Sequence, residues 1–258
     1  MNTMRIEGGL ELIDLALFVP AHRTLVIADI HLGFEEALHQ DGALVPRGHF
    51  RELMARLERI LSQVSTKPER PLDRVVINGD LSHRFGYLSA QEWKESREFL
   101  QQLLEFGHGV IMLEGNHDGN LNALAEGLER VTVHRSYELG DLLFLHGHTA
   151  PASLSSHIQA IVMGHEHPAV GLRDGVTGRV ELYKCFLVGR YLDRRLVVQP
   201  SFNPWAQGSD LMQERCLSPL LSEEALGEFE VYPVSDEGSI YRFGALRKIL
   251  AAGSHIGG

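Results

Sequence analysis

The chain has 258 residues, 44% apolar and 22% charged, a mix that excludes a disordered, collagen-like or fibrous polymer and is long enough to bury a core without disulfides. Its formal net charge of −10 argues against bulk coating of nucleic acid, because such binding draws on Lys and Arg contacts to phosphate. No apolar run approaches the length of a membrane span, and Glu7, Glu11 and Asp14 interrupt the apolar N-terminal stretch, which therefore does not read as a secretory signal. Cys185 and Cys216 cannot build a disulfide framework and are expected to be small buried side chains in a reducing, cytoplasmic setting.

Short apolar runs alternate with helical segments, the pattern of an α/β or α+β sheet protein. The first strand is expected over 24–28. A helix over 50–64 places Phe50, Leu53, Met54, Leu57, Ile60, Leu61 and Val64 on one face, with Arg51, Glu52, Arg56, Glu58 and Arg59 largely opposite. A strand over 74–77 follows. The next helix starts at Ser89, where Glu92 completes a capping box and Leu88 and Trp93 stand where a hydrophobic staple would. That reading puts Trp93 with Leu100, Leu103 and Leu104 on the inner face. Further strands are expected over 109–113, 141–145 and 160–163, then over 179–186, 195–199 and 229–234. Residues 1–250 are expected to form one domain, and the small-residue tail 251–258, with His255, to fray at the surface.

The first five expected strands all end in potential metal ligands. They are Asp29 and His31, then Asp80 with Ser82 and His83, then Asn116, His117 and Asp118, then His146 and His148, then His165 and His167. Residues two apart on an extended chain point to one side, so Asp29 with His31, and His165 with His167, can each aim two donors at one place. Open α/β proteins build their sites at such strand ends, on loops above a rigid apolar support. Glycines beside the donors (Gly79, Gly115, Gly147 and Gly164) permit tight turns and close approach. Hard oxygen and imidazole donors together suit Mn, Fe or Zn rather than Ca or Mg alone. Asp80, the lone acid of its strand end, could bridge two cations through two free oxygens. Two cations roughly 3.5–4 Å apart polarise a phosphoryl group and hold a hydroxide nucleophile. Burying so many acids and imidazoles without a cation would leave them uncompensated.

Taken together, Asp29/His31, Gly79-Asp80, Gly115-Asn116-His117-Asp118, His146 and Gly164-His165-Glu166-His167 resemble the motif set of the calcineurin-like metallophosphoesterase superfamily. The resemblance implies a four-layer αββα sandwich of two mixed sheets flanked by helices. It implies two divalent cations, Mn²⁺ foremost with Fe or Zn as alternatives. One would be held by Asp29, His31, Asp80 and His167, the other by Asp80, Asn116, His146 and His165. It further implies attack by a metal-bridging hydroxide, with His117 as general acid oriented by Asp118. His83, Asn116, His148 and Asn203 are the expected substrate contacts.

A narrower resemblance runs through Leu25 to Glu35, Gly42 and Pro46, Cys185-Phe186-Leu187 and Pro200-Ser201-Phe202-Asn203-Pro204 with Gly208. It points to the bacterial and archaeal DNA-ligase-associated metallophosphoesterases, and so to a DNA-repair context with ligase or helicase partners. His83 stands where many members carry an acid, as in the superfamily's double-strand-break repair nucleases, where it helps position phosphate. His117 speaks against the lipid-A pathway pyrophosphohydrolases, which usually carry Arg there. Phe202 and Trp205 are expected to pack, and Arg47, Arg190, Arg194 and Arg195 to be mostly surface residues. The expected activity is phosphodiester hydrolysis by a chain that does not enter a membrane. The alternatives are a nuclease of single-stranded or flapped DNA and a phosphomonoesterase. A non-enzymatic scaffold is disfavoured because every ligand position is filled. A homodimer is left open.

Overall fold

The computed structural model describes residues 2–65, 72–84, 88–173 and 177–254. Among these, two sheets follow one another along the chain. The first contains β1 (Thr3–Arg5), β2 (Glu11–Ile13), β3 (Ala16–Val19), β4 (Thr24–Ile27), β5 (Arg74–Ile77), β6 (Val110–Leu113) and β7 (Val131–His134), in that spatial order. The second contains β8 (Ser136–Leu139), β9 (Leu142–Leu145), β10 (Ala160–Met163), β11 (Pro168–Arg173), β12 (Val180–Tyr191), β13 (Arg194–Val198), β14 (Ser209–Asp210), β15 (Glu230–Pro233) and β16 (Gly244–Ala245). Its main path runs β14-β11-β12-β13-β10-β9-β8, with β15 joined to β12 and β16. The helices are α1 (Phe34–Gln40), α2 (His49–Ser65), α3 (Ala90–Phe106), α4 (Leu121–Ala125), α5 (Glu223–Leu226) and α6 (Leu246–Ser254).

Strands β4 to β7 are parallel, as are β9, β10 and β13. Parallel strands need both faces covered, which is why β4, β6, β9 and β10 are buried at every position. Alternation along the second sheet sorts its side chains between two cores. Phe144, Val162, Phe186 and Val197 join the first sheet and α2 and α3 in one core. Leu143, Leu145, Ile161, Met163, Leu196 and Val198 face the other way, toward Leu220, Leu221, Phe229 and Leu246. The result is the expected sandwich of two mixed sheets with helical cover.

Helix α2 buries the apolar stripe read from its sequence, from Leu53 to Val64. Helix α3 starts at the expected capping box: Glu92 N–H donates to Ser89 Oγ at 3.1 Å, and Ser89 N–H to Glu92 Oε2 at 2.8 Å. Trp93, however, is 41% exposed, and the inner face is Glu92, Ser96, Phe99, Leu100 and Leu103. The cap itself explains the correction. Glu92 must fold back onto Ser89, which turns that side of the helix inward and rotates Trp93, one residue on, toward solvent.

Two further expectations change. Helix α6 takes in residues 251–254 of the tail, while 255–258, with His255, lie outside the described residues. Cys185 is fully buried in β12, but Cys216 is only half-buried, and burial and the charge of Glu166 push its thiol up. Both cysteines are free. No helix among the described residues is long and apolar enough to cross a membrane.

Candidate metal centre

The strand ends of both sheets meet at one edge of the sandwich. The loops after β4 and β5 are joined by backbone bonds: Asp29 N–H donates to Gly79 O at 3.1 Å, Ile30 N–H to Asp80 O at 2.9 Å and Leu32 N–H to Leu81 O at 2.8 Å. A buried amide pair ties the sheets just below. Asn78 Nδ2 donates to Val162 O at 3.1 Å and to Gln199 Oε1 at 3.3 Å, and Gln199 Nε2 donates to Val26 O at 3.1 Å. Two glycines set the closest approaches. A Cβ on Gly79 would lie 2.1 Å from His146 Nδ1, and one on Gly115 would lie 2.0 Å from Asp80 Oδ1.

Nine described non-glycine residues have positive φ, and five are expected donors: Asp29 (54°), His31 (50°), Asp80 (50°), His165 (69°) and His167 (48°). The pairs Asp29/His31 and His165/His167 are therefore not extended, as the spacing argument assumed. Left-handed residues alternate with the buried Ile30 and Glu166. The donors still converge because the residue between them is turned into the protein. Glu166, 2% exposed, accepts from the Leu217 and Ser218 backbone N–H groups at 3.0 Å each. Left-handed backbone costs of order 1–3 kcal/mol at each non-glycine residue and persists where surrounding contacts enforce it.

Two donor groups share one carboxylate. In the first, His31 Nε2 lies 3.2 Å from His167 Nε2 and 3.8 Å from Asp80 Oδ2, and His167 Nε2 lies 3.5 Å from Asp29 Oδ1. In the second, His146 Nε2 lies 3.0 Å from Asn116 Oδ1, 3.2 Å from His165 Nδ1 and 3.4 Å from Asp80 Oδ2. Asp80 thus faces both groups through Oδ2 alone. Its Oδ1 accepts the His117 backbone N–H at 2.9 Å, which replaces the expected bridge through two free oxygens.

The electrostatics fit a pair of cations. Asp29 and Asp80 are 0% and 2% exposed. Burial acts to raise both carboxyls, yet nearby imidazoles outweigh it: His167 and His146 for Asp29, His146 and His31 for Asp80. Both groups stay ionised. Burial and neighbouring imidazoles push His31 down to about 3 and His165 down to about 4, so each presents a lone pair. His146, despite burial, is raised to about 9 by Asp80 and Asp29. Facing imidazole nitrogens 3.2 Å apart, twice over, repel unless a proton or cation lies between them. Carboxylate, amide and imidazole donors of this kind suit borderline divalent metals. Asp29, His31 and His167 form one group able to hold an ion, and Asp29, Asp80 and His146 another.

The His117 ring is set by His83, whose carbonyl oxygen accepts from Nδ1 at 2.7 Å. That bond assigns the proton to Nδ1 and leaves Nε2 as the atom that exchanges protons. Asp118, expected to orient His117, is tied to the backbone of the neighbouring loops. Its oxygens accept from Asp80 N–H and Gly115 N–H at 2.9 Å each, and from Ser82 N–H at 3.2 Å. The short turn aims the carboxylate at these backbone donors, so Asp118 fixes the loop that presents Asp80. The half-buried His83 stacks on His117 (6.0 Å, 22°) and meets Phe34 edge-on at 5.0 Å. His148 is exposed on the rim, 5.3 Å from the His146 ring.

Asn203 is fully buried and Asn116 exposed, so of these two expected substrate contacts only Asn116 opens to the cleft. Asn203 Oδ1 instead bonds His49 Nε2 at 2.8 Å and accepts Trp205 N–H at 2.9 Å. Phe202 packs as expected. Trp205 is half-buried against His49, and its indole N–H donates to Glu52 Oε2 at 2.8 Å. Of the arginines weighed, Arg195 pairs with Glu7, Arg190 donates to Asp193 O and Arg47 faces Glu36. The sequence reading missed Gln199 and His49. Each is polar and buried, but nothing in its local pattern separates it from an exposed loop residue.

A structure of a Pseudomonas putida nuclease is similar over 94% of this chain and 99% of its own, at 21% identity and a TM-score of 0.62. The Escherichia coli phosphoesterase YfcE covers 86% of this chain and 98% of its own at 17% identity, with a TM-score of only 0.39. No curated relative matches. The family model of calcineurin-like phosphoesterases matches residues 22–223, a span that contains every donor described above. With that match over a sandwich whose strand ends gather buried acids and imidazoles, the chain belongs to the calcineurin-like phosphoesterase family and is a metal-dependent phosphoric ester hydrolase.

Proposed function

We propose that the chain hydrolyses phosphodiesters at a two-cation centre, with Mn²⁺ as the working metal. Asp29, His31, Asp80 and His167 hold one cation, and Asp80, Asn116, His146 and His165 hold the other. A bound pair supplies Lewis acidity toward the phosphoryl oxygens and an activated water. The protein does the rest. Asp80 Oδ2 faces both donor groups and would serve a cation in either. His117 gives its Nε2 proton to the departing alkoxide, with Nδ1 held by the His83 carbonyl so that the ring keeps its aim. His83 and His148 line the approach to the phosphate from opposite donor groups.

The observation that carries this reading is the single Asp80 oxygen lying 3.8 Å from His31 Nε2 and 3.4 Å from His146 Nε2, with the His117 backbone bonded to the other oxygen. The same carboxylate joins the two donor groups and fixes the acid. The test is hydrolysis of a bis-aryl phosphate by the full chain with Mn²⁺ added, set beside the corresponding monoester. Turnover of the diester supports the reading. Turnover confined to the monoester makes the chain a phosphomonoesterase.

A second reading makes the diester a DNA strand. The motif resemblance to the ligase-associated branch supports it, and the Pseudomonas putida neighbour is itself a nuclease. The net charge of −10 then predicts weak, salt-sensitive binding unless a ligase or helicase partner supplies basic surface. Two free cysteines suit a reducing cytoplasm. Single-stranded and flapped oligonucleotides in the same assay, across a salt series, test it.

A further inference from the structure

The 200–203 segment is buried beside the centre yet supplies none of its ligands. Ser201, Phe202 and Asn203 are 1%, 0% and 0% exposed. Two bonds tie this segment to the first ligand loop. Ser201 Oγ–H donates to the Asp29 carbonyl at 2.7 Å, and Phe202 N–H donates to the Ala28 carbonyl at 2.8 Å. Asp29 sits in left-handed backbone, φ 54°, a less populated region for a non-glycine residue that surrounding contacts help to hold. Its N–H is bound to Gly79 O and its carboxylate receives the His165 N–H, so the Ser201 hydroxyl completes the restraint from a third side.

The segment has its own anchor. Lys184 reaches from β12, and Nζ donates to Ser201 O at 3.0 Å and also to Asn203 O. Among the described residues Lys184 makes no salt bridge; its hydrogen-bonding partners are carbonyls. An ammonium drawn partly out of water needs compensation, and here it comes from the two carbonyls that flank Phe202.

We propose that Ser201 is a positioning residue for Asp29, holding that ligand's backbone in its left-handed turn, and that Lys184 anchors the segment carrying Ser201. The inference rests on the reading of Asp29 as a cation ligand. Groups that orient a metal ligand without touching the metal typically change affinity about 10–100-fold when removed. In the proposed assignment Asp29 is a ligand only of the cation held with His31, Asp80 and His167, so the change falls unevenly on the two cations.

The test uses the full chain, stripped with chelator and titrated with Mn²⁺. Free Mn²⁺ is followed by electron paramagnetic resonance, and the metal-free forms are melted in parallel. Ser201→Ala is expected to bind one Mn²⁺ about 10–100-fold more weakly and the other as the wild type does, with metal-free melting close to wild type. Lys184→Met should weaken the same Mn²⁺. A Ser201→Ala chain that binds both ions with wild-type affinity overturns the proposal. So does one that loses both equally, or whose metal-free form no longer folds, because the hydroxyl would then serve the fold rather than the ligand. If the wild type itself takes up no Mn²⁺, the reading of the whole centre fails, whatever Ser201 does.

Discussion

The first sheet brings both carboxylates and the amide of the centre, through Asp29, Asp80 and Asn116, together with His31, whereas the second sheet brings imidazoles alone, through His146, His165 and His167. The acids are sealed at 0% and 2% exposure, while His165 and His167 are half-open to the cleft. Negative charge is therefore stored on one sheet and faced by imidazoles from the other. A cation between them would offset the buried anions and add a tie between two sheets that already share a core. Loss of a donor from the first sheet should then cost more than loss of one from the second.

The sharpest test of that asymmetry sets Asp80→Asn against His165→Ala. Removing the shared oxygen's charge should abolish tight binding of both Mn²⁺ ions and cut diester turnover by several orders of magnitude, whereas His165→Ala should weaken one ion and leave the other. Equal losses in calorimetric Mn²⁺ titrations would erase the distinction. Next in size is His117→Ala, which should keep both ions and lower turnover about 10²–10⁴-fold. Its deficit should shrink with a nitrophenolate leaving group, which departs without a proton, and a deficit independent of leaving-group pKa would remove His117 as the acid.

A third prediction concerns the tie between the layers. Mn²⁺ at about a hundred times its dissociation constant should stabilise the fold by about 2.7 kcal/mol, lost on chelation and read as a fall of several degrees in Tm. An unchanged Tm would mean that the sheets hold together without the ions. The last test lies at Lys184, where burial and the charge of Arg56 press the amine from the ordinary 10.5 down to about 7. The folded chain sheds this proton before the unfolded chain does. From this group, stability should rise with pH from about 7 to about 10.5 and fall back as pH drops through 7. Lys184→Met should flatten that part of the stability–pH curve in urea titrations.

The legibility of the chain divides along physical lines. Strands 74–77 and 160–163 appear where expected, because unbroken apolar runs between polar turns bury on both faces wherever the layers pack. The start of α3 was legible because a capping box is local chemistry, closed within four residues. Trp93 was misjudged because which neighbour of a cap turns inward depends on what the helix meets, here Gly33 against Glu92. The hydrogen-bond partners of Asp118 and Asn203 were illegible for the same kind of reason. Adjacency suggested His117 and the cleft as their partners, and the fold gave them the Asp80 loop and His49.

The sequence by itself determined the layered α/β plan, the donors and their order along the chain, since apolar runs and the residue types that end them are properties of the polymer. Only the tertiary structure decided that one oxygen of Asp80 serves both donor groups, that five donors adopt left-handed backbone, and that Ser201 and Lys184 stand behind Asp29. Those relations join residues up to 172 positions apart, and such distances are set by how two sheets pack rather than by any local preference of the chain.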